Sequence, residues 1–240
     1  MQPALSYQIF PLGDNALCID FGNLINETIN KKVISLFHQL RRDPFDGIIE
    51  VTPAYSSLTI YYNILSVYKN VPKEITVFEW MKAKTERFLE QETVIEPEKE
   101  NQVTIPVCYD KEFAADIDYV AEQKNISPEE IIRIHTAKTY RVYMLGFLPG
   151  FTYMGEVDEQ ISIPRKPVPQ TVAAGSVGIA GRQTGIYPLI SPGGWQIIGR
   201  TPLKMFDKNN EQCTLVKAGD TVQFISISKD EFENIKSRNS

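Results

Sequence analysis

The sequence predicts an α+β protein, an amino-terminal layer with the order ββαββα followed by a β barrel. Three observations carry that prediction. Up to about residue 89, short β-branched and aromatic runs alternate with two stretches of helical periodicity. A polar stretch follows, with six glutamates between Glu86 and Glu100 and Pro97 among them, and it reads as a linker between domains at 1–95 and 101–230. Beyond it, Gly146 to Pro202 holds ten of the chain's 14 glycines and seven of its 15 prolines, a density that excludes a long helix and means tight corners between short strands.

Taken in order, Tyr7 to Pro11 and Ala16 to Phe21 flank the turn-forming trio Gly13-Asp14-Asn15 and read as a hairpin. Asn26 or Thr28 caps a helix whose apolar stripe runs from Ile29 through Val33, Leu36 and Phe37 to Leu40, until Asp43-Pro44 stops it. His38 sits beside that stripe as a surface or boundary residue. Gly47 to Val51 and Leu58 to Tyr62 are two further strands, and Val77 to Leu89 is the second helix. In the second part, Val103 to Cys108 is a strand and Ile117 to Lys124 a helix closed by Asn125. Ser127-Pro128-Glu129-Glu130 opens a short helix that His135 ends, with proline at its first position. Tyr140 to Phe147 feeds the glycine-rich segment, Thr221 to Ser228 closes the fold, and fraying is expected from about Lys236.

With 42% hydrophobic and 23% charged residues in 240, the chain has the composition of a globular protein of one or two domains. A net charge of -5 argues against nucleic acid as a partner, because phosphate contact needs a basic face. Cys18, Cys108 and Cys213 are widely spaced, so neither a zinc site nor a disulfide framework is indicated, and each is expected to be a buried thiol. No window approaches the roughly 18 apolar residues of a membrane span, and no basic start precedes an apolar core, so a cytoplasmic location is expected.

The sequence contains no phosphate-binding GxxxxGKS/T loop, no HExxH helix and no GxSxG elbow. Two histidines exclude a histidine-rich metal site, and no nucleophile is paired with His135 in the sequence. What the glycine-rich segment offers suits an anionic, oxygen-rich ligand. Arg165, Arg182 and Arg200 present planar forks for carboxylate or phosphate, and the amides of Gly181 to Gly185 and Ser191 to Gly194 are candidate anion nests. Candidate binding residues are Arg165, Gln183, Thr184, Tyr187, Ser191, Trp195 and Arg200, with His135, Tyr153 and Arg182 as a second tier. Carboxylates near the segment are few, namely Glu156, Asp158, Glu159 and Asp207, too sparse for a complete magnesium-nucleotide site.

Three blocks, Gly146 to Gly155 (GFLPGFTYMG), Ala173 to Pro188 (AAGSVGIAGRQTGIYP) and Ser191 to Asp207 (SPGGWQIIGRTPLKMFD), resemble the signatures of the allophanate hydrolase subunit 1 family. That family includes the B-type component of 5-oxoprolinase and the Bacillus sporulation kinase A inhibitor. The resemblance extends through IPVCYDKEFAADIDYVAE and SPEEIIRIHTAKTYRVYMLGF, and more weakly to PLGDNALCIDFG and IIEVTPAYSSLTIYYN. One departure stands out. Family members often carry a second Pro-Arg pair where this chain has Pro169-Gln170.

The resemblance implies a cyclophilin-like barrel behind the α+β domain, without prolyl isomerase activity. It implies a subunit that is inactive alone and works with two partners, a homologue of the 5-oxoprolinase C-type component and an A-type component of the lamB/YcsF kind. The implied reaction converts 5-oxo-L-proline, ATP and water to L-glutamate, ADP and phosphate, with ATP and its magnesium held mainly by the partners. Two alternatives come with the same resemblance: an inhibitor that binds a sensor histidine kinase, and the carboxyltransferase half of a urea carboxylase or allophanate hydrolase system, which needs a biotinyl partner chain.

Overall fold

The computed structural model describes residues 6–90 and 101–238, which fall into two units, Met1–Lys99 and Glu100–Ser240. In the first unit, β1 (Gln8–Pro11) and β2 (Ala16–Asp20) pair antiparallel from Gln8↔Asp20 to Pro11↔Leu17, and Gly13 takes a positive φ of 64° in the turn between them. Helix α1 (Glu27–Arg42) is capped by Asn26, whose side chain accepts from the Ile29 amide at 3.0 Å. Strands β3 (Ile48–Pro53) and β4 (Ser57–Tyr62) complete a four-stranded antiparallel sheet in the order β1-β2-β4-β3.

A five-residue helix, α2 (Ile64–Tyr68), follows, capped by the Asn63 carboxamide on the Ser66 amide. Helix α3 (Val77–Glu90) opens on a reciprocal cap in which Thr76 N–H donates to Glu79 and Glu79 N–H donates back to the Thr76 hydroxyl. Leu17, Ile19, Leu58 and Ile60 of the sheet share one core with Val33 and Leu36 of α1 and Met81 of α3. Each such burial contributes about 1.5–3 kcal/mol, which is why amphipathic stripes at period 2 and 3.6 suffice to specify this layer. Of the acidic stretch read as a linker, Glu86 and Glu90 belong to α3, and residues 91–100 lie outside the described residues.

The second unit begins with β5 (Gln102–Cys108), α4 (Ile117–Lys124) and α5 (Pro128–Thr136). Asn125 closes α4 in the left-handed region at φ 53°, and the Ser127 hydroxyl caps α5 by accepting from the Glu130 amide. Next come β6 (Thr139–Leu145), β7 (Thr152–Gly155), β8 (Gln170–Val172), β9 (Ser176–Ala180) and β10 (Gln183–Ile186). The chain continues through β11 (Ser191–Gly193), β12 (Gln196–Arg200), β13 (Thr221–Ile227) and α6 (Lys229–Arg238). Seven strands close a barrel in the order β10-β7-β6-β13-β5-β12-β9, and β8 and β11 form a separate two-stranded ribbon. The closure depends on β13 lying parallel to β5, Thr221↔Gln102 to Ile227↔Cys108. Val142, Met154, Ile179, Ile186, Ile198 and Phe224 are buried together with Ile117, Val120 and Ile131 of the two covering helices.

Three expectations are corrected. The chain does not fray from Lys236: α6 runs to Arg238, because Ser228 and Glu231 cap it reciprocally and Phe232 is buried beneath it, its ring 4.4 Å from that of Phe113. Cys213 is exposed in a surface loop, unlike the buried Cys18 and Cys108. The strand expected to reach Phe147 stops at Leu145, and Phe147 turns the chain at φ 66° with its ring largely exposed.

Candidate functional site

Pro164 and Pro167 stiffen a short loop that carries Arg165 and Lys166 in opposite directions. Lys166 points inward. Its amide donates to the Gly194 carbonyl at 2.7 Å, and its ammonium reaches the Asp116 carboxylate at 2.6 Å, with side-chain exposures of only 10% and 16%. Asp116 occupies the N-cap position of α4 without capping it; its Oδ2 accepts from the Ile197 amide at 2.7 Å instead. Gln196 Nε2 ties the Pro164 carbonyl from the same side. The loop is thus fastened at three points, to Gly194, to Asp116 and to Gln196 of β12. Gln170, where the resemblance leads one to expect arginine, accepts from Lys166 Nζ at 3.2 Å, so an arginine there would set a second cation against the first.

Arg165 points outward, its guanidinium carbon 5.9 Å from the centre of the Trp195 ring. It makes no hydrogen bond or ion pair with any other described residue. Behind it stands an aromatic wall. Phe151 meets Tyr187 at 4.9 Å and Trp195 at 5.4 Å, both edge to face, and Tyr153 lies 4.7 Å from Phe151 and 5.8 Å from Trp195. Glycines make the wall dense: a Cβ at Gly185 would stand 2.9 Å from the Trp195 ring and 2.5 Å from the Thr152 carbonyl oxygen. Burial raises the pKa of both Tyr153 and Tyr187, and the Arg165 charge pulls each partly back, so both hydroxyls stay protonated near neutral pH.

Arg165, Tyr153, Tyr187 and Trp195 therefore come together as a shelf, in which the exposed arginine stands over a wall whose Tyr153 is partly buried and whose Tyr187 and Trp195 are buried. Strand parity separates the remaining candidates. On β10, half-exposed Gln183 shares the face of Gly185 and Tyr187, whereas Thr184 and Ile186 turn the other way into the barrel. There, Thr184 Oγ1 donates to the Gly178 carbonyl at 3.1 Å and accepts from His135 Nε2 at 3.0 Å. His135 Nδ1 in turn accepts from the Tyr109 hydroxyl at 2.8 Å. Burial pulls the His135 pKa down to about 3, so the imidazole is neutral and its bonds join α5 to β10. Its spacing imitates a nucleophile-base pair, but the hydroxyl proton is committed to Gly178 and Thr184 is fully buried.

Arg182 pairs with Glu156 at 2.7 Å on the surface. Ser191 is buried in the β8–β11 ribbon, its hydroxyl without a partner among the described residues. The candidate nests are drawn out into strands instead: Gly181 N–H donates to the Ile163 carbonyl and Gln183 to Gly185 lie in β10, while Ser191 to Gly193 pair with β8 in β11. Arg200 ends β12, roughly 16 Å along the strand from Trp195 at about 3.3 Å per residue, and belongs to a different place. Sequence reasoning missed Lys166 and Asp116. The Pro164-Arg-Lys-Pro167 run was a signal for a rigid loop, whereas nothing local marked an aspartate 50 residues away.

Comparison with known proteins gives the class. The family model described as carboxyltransferase domain, subdomain C and D, matches residues 7–216, and the 5-oxoprolinase B subunit of Bacillus subtilis (strain 168) is 46% identical over 234 residues, covering 96% of this chain and 97% of that one. The chain belongs to this carboxyltransferase-domain family, which includes the 5-oxoprolinase B subunits. Among solved structures, TTHA0988 superposes with a TM-score of 0.75 at 33% identity, over 89% of this chain and 40% of that chain. The urea amidolyase of K. lactis shares the fold, with a TM-score of 0.75 at 19% identity over 97% of this chain and 15% of that chain. No helix among the described residues is long and apolar enough to cross a membrane.

Proposed function

We propose that this chain is one subunit of a 5-oxoprolinase and contributes half of the site for 5-oxo-L-proline. The observation that carries the reading is the Arg165 guanidinium, held 5.9 Å above the centre of the Trp195 ring and left without a hydrogen-bond or ion-pair partner among the described residues by a loop fastened through Lys166 and Asp116. A planar fork is the natural receiver for the substrate carboxylate, and the edges of Tyr153 and the aromatic wall suit the apolar ring of the lactam. The resemblance to subunits named for this activity supports the same assignment.

A shelf is half a site. In this reading a C-type homologue closes it, and the lamB/YcsF-type component completes the enzyme in the cytoplasm. The net reaction consumes 5-oxo-L-proline, ATP and water and yields L-glutamate, ADP and phosphate. An unactivated lactam is a poor electrophile, and a phosphoryl group on its oxygen makes the ring carbon attackable by water. Magnesium and ATP are assigned mainly to the partners; among the described residues no group of three His, Cys, Asp or Glu side chains is placed to hold a metal ion. The part of this chain is to bind and orient the substrate and to donate hydrogen bonds from neutral tyrosines.

The test is glutamate release from 5-oxoproline with ATP. The reading expects none from the isolated chain and turnover when it is co-expressed with its lamB/YcsF-type and C-type partners. A fully assembled complex without ATP-dependent glutamate release contradicts it, and inhibition of a histidine kinase is then the next measurement.

A further inference from the structure

The third arginine of the glycine-rich segment, Arg200, stands in a cavity of its own. Arg200 Nε donates to the Ala174 carbonyl at 2.7 Å, which fixes the guanidinium plane and leaves Nη1 and Nη2 without a hydrogen-bond partner among the described residues. Around it opens a cavity of about 350 Å³ whose lining includes Gly175, Phe206, Phe232, Lys204 and Lys236. The lining holds three cations and no carboxylate. Lys236 already lies 3.9 Å from Glu233 and over the Phe232 ring, whereas Lys204 has no ion pair or hydrogen bond among the described residues.

Two distant pieces of sequence build this cavity. Gly175 has φ 83°, and a side chain there would collide with the Thr201 carbonyl and come within 3.5 Å of Arg200 Cγ, so the floor requires glycine. The opposite wall comes from α6, where the Ser228–Glu231 cap starts the helix that brings in Phe232 and Lys236. The Arg165 shelf, at the other end of β12, shares none of these residues.

We infer that this cavity is a second binding site, for a small molecule with a carboxylate or phosphate head on an apolar or aromatic body. Arg200 and Lys204, with Lys236 shared with Glu233, leave an excess of positive charge around one hollow that attracts an anion, and the Nη1–Nη2 edge of a fixed guanidinium can donate to two oxygens at once. A bare inorganic ion would leave the apolar lining of Leu189, Leu203 and Phe206 unused, and a neutral molecule would leave Arg200 and Lys204 unbalanced. The inference does not depend on the 5-oxoprolinase reading.

The probes are phenyl phosphate, benzoate, inorganic phosphate and benzyl alcohol, titrated into the full 15N-labelled chain. The amides of Gly175, Thr201 and Phe206 report on the cavity, and those of Tyr153 and Trp195 report on the shelf. The expected result is saturable movement of the cavity amides with an aromatic anion, at least about tenfold tighter than with inorganic phosphate or benzyl alcohol. Tighter binding of phenyl phosphate than of benzoate identifies a phosphate head, and the reverse order a carboxylate. Arg200→Gln and Lys204→Ala should each weaken binding by about tenfold or more. Lys204 is exposed, so its variant carries the test even where Arg200→Gln disturbs the Ala174 contact. The inference is overturned by no movement of the cavity amides with either aromatic anion, by equal affinity for benzyl alcohol, or by unchanged affinity in the Lys204 variant.

Discussion

Arg165 and Arg200 come from the same glycine-rich segment and lie near opposite ends of β12, yet the fold treats them differently. Arg200 is held by its own Nε on the Ala174 carbonyl, inside a cavity floored by a glycine of positive φ. Arg165 has no such hold. Its position is set by its neighbour, Lys166, which spends its charge on Asp116 so that the exposed fork stays in place over Trp195. One arginine is fixed within a cavity and the other is displayed at the surface over an aromatic wall, where in the proposed reading a second subunit supplies what faces it.

The contrast can be broken at either end. The largest effect is expected from Gly175→Ala, which imposes an unfavourable φ and drives a methyl into the Thr201 carbonyl, for a loss on the order of 3 kcal/mol in urea unfolding. Gly185→Ala, pressed against Trp195 and the Thr152 carbonyl, should cost about 2 kcal/mol and distort the shelf but not the cavity. Asp116→Ala removes the acceptor for Lys166 and for the Ile197 amide, at about 2 kcal/mol after allowing for partial exposure. In the assembled enzyme it should raise KM for 5-oxoproline more than it lowers kcat, whereas Asp116→Asn, which can still accept from Ile197, should do less of both. Equal losses in kcat and KM for the two variants would mean that the ion pair only holds the fold.

His135 sharpens the comparison because it belongs to neither end. Its folded pKa near 3 lies below the ordinary value of 6.5, so between those values the unfolded chain binds a proton here that the folded chain does not. Its contribution is therefore complete above pH 6.5 and declines as pH falls toward 3, at about 1.4 kcal/mol per pH unit. In His135→Phe the dependence of unfolding free energy on pH from 6 to 4 should be shallower by one proton. A parallel slope in the variant would show that the buried imidazole does not titrate as described. The smallest effect, about 1 kcal/mol, is expected for Tyr109→Phe, which removes the donor to Nδ1.

What the sequence disclosed follows from the range of the forces involved. Asn26, Asn125 and Ser127 act within four residues of themselves, and their caps were readable from residue type and spacing. The same chemistry was present at Ser228-x-x-Glu231 and passed unread, because α6 has a weak apolar stripe with Phe232 its one buried side chain. Barrel closure was harder still. The parallel pairing of Thr221–Ile227 with Gln102–Cys108 joins segments more than 100 residues apart, and nothing in either one names the other. At the site, residue type drew attention to Arg165, Tyr153, Tyr187 and Trp195, which the fold brings together. It also joined Gln183 to Thr184, although consecutive residues of a strand face opposite sides. Adjacency in sequence was mistaken there for adjacency in space.

The central claim is that Arg165 receives the substrate carboxylate on a shelf that a partner completes. Its most direct test is the steady-state kinetics of 5-oxoproline-dependent glutamate release by the assembled complex with Arg165→Ala and Arg165→Lys. The account predicts kcat/KM lower by about a hundredfold for alanine and by about tenfold for lysine, which keeps the charge and loses the fork, with assembly and unfolding midpoint unchanged. A complex containing Arg165→Ala that turns over at the wild-type rate and KM would contradict it.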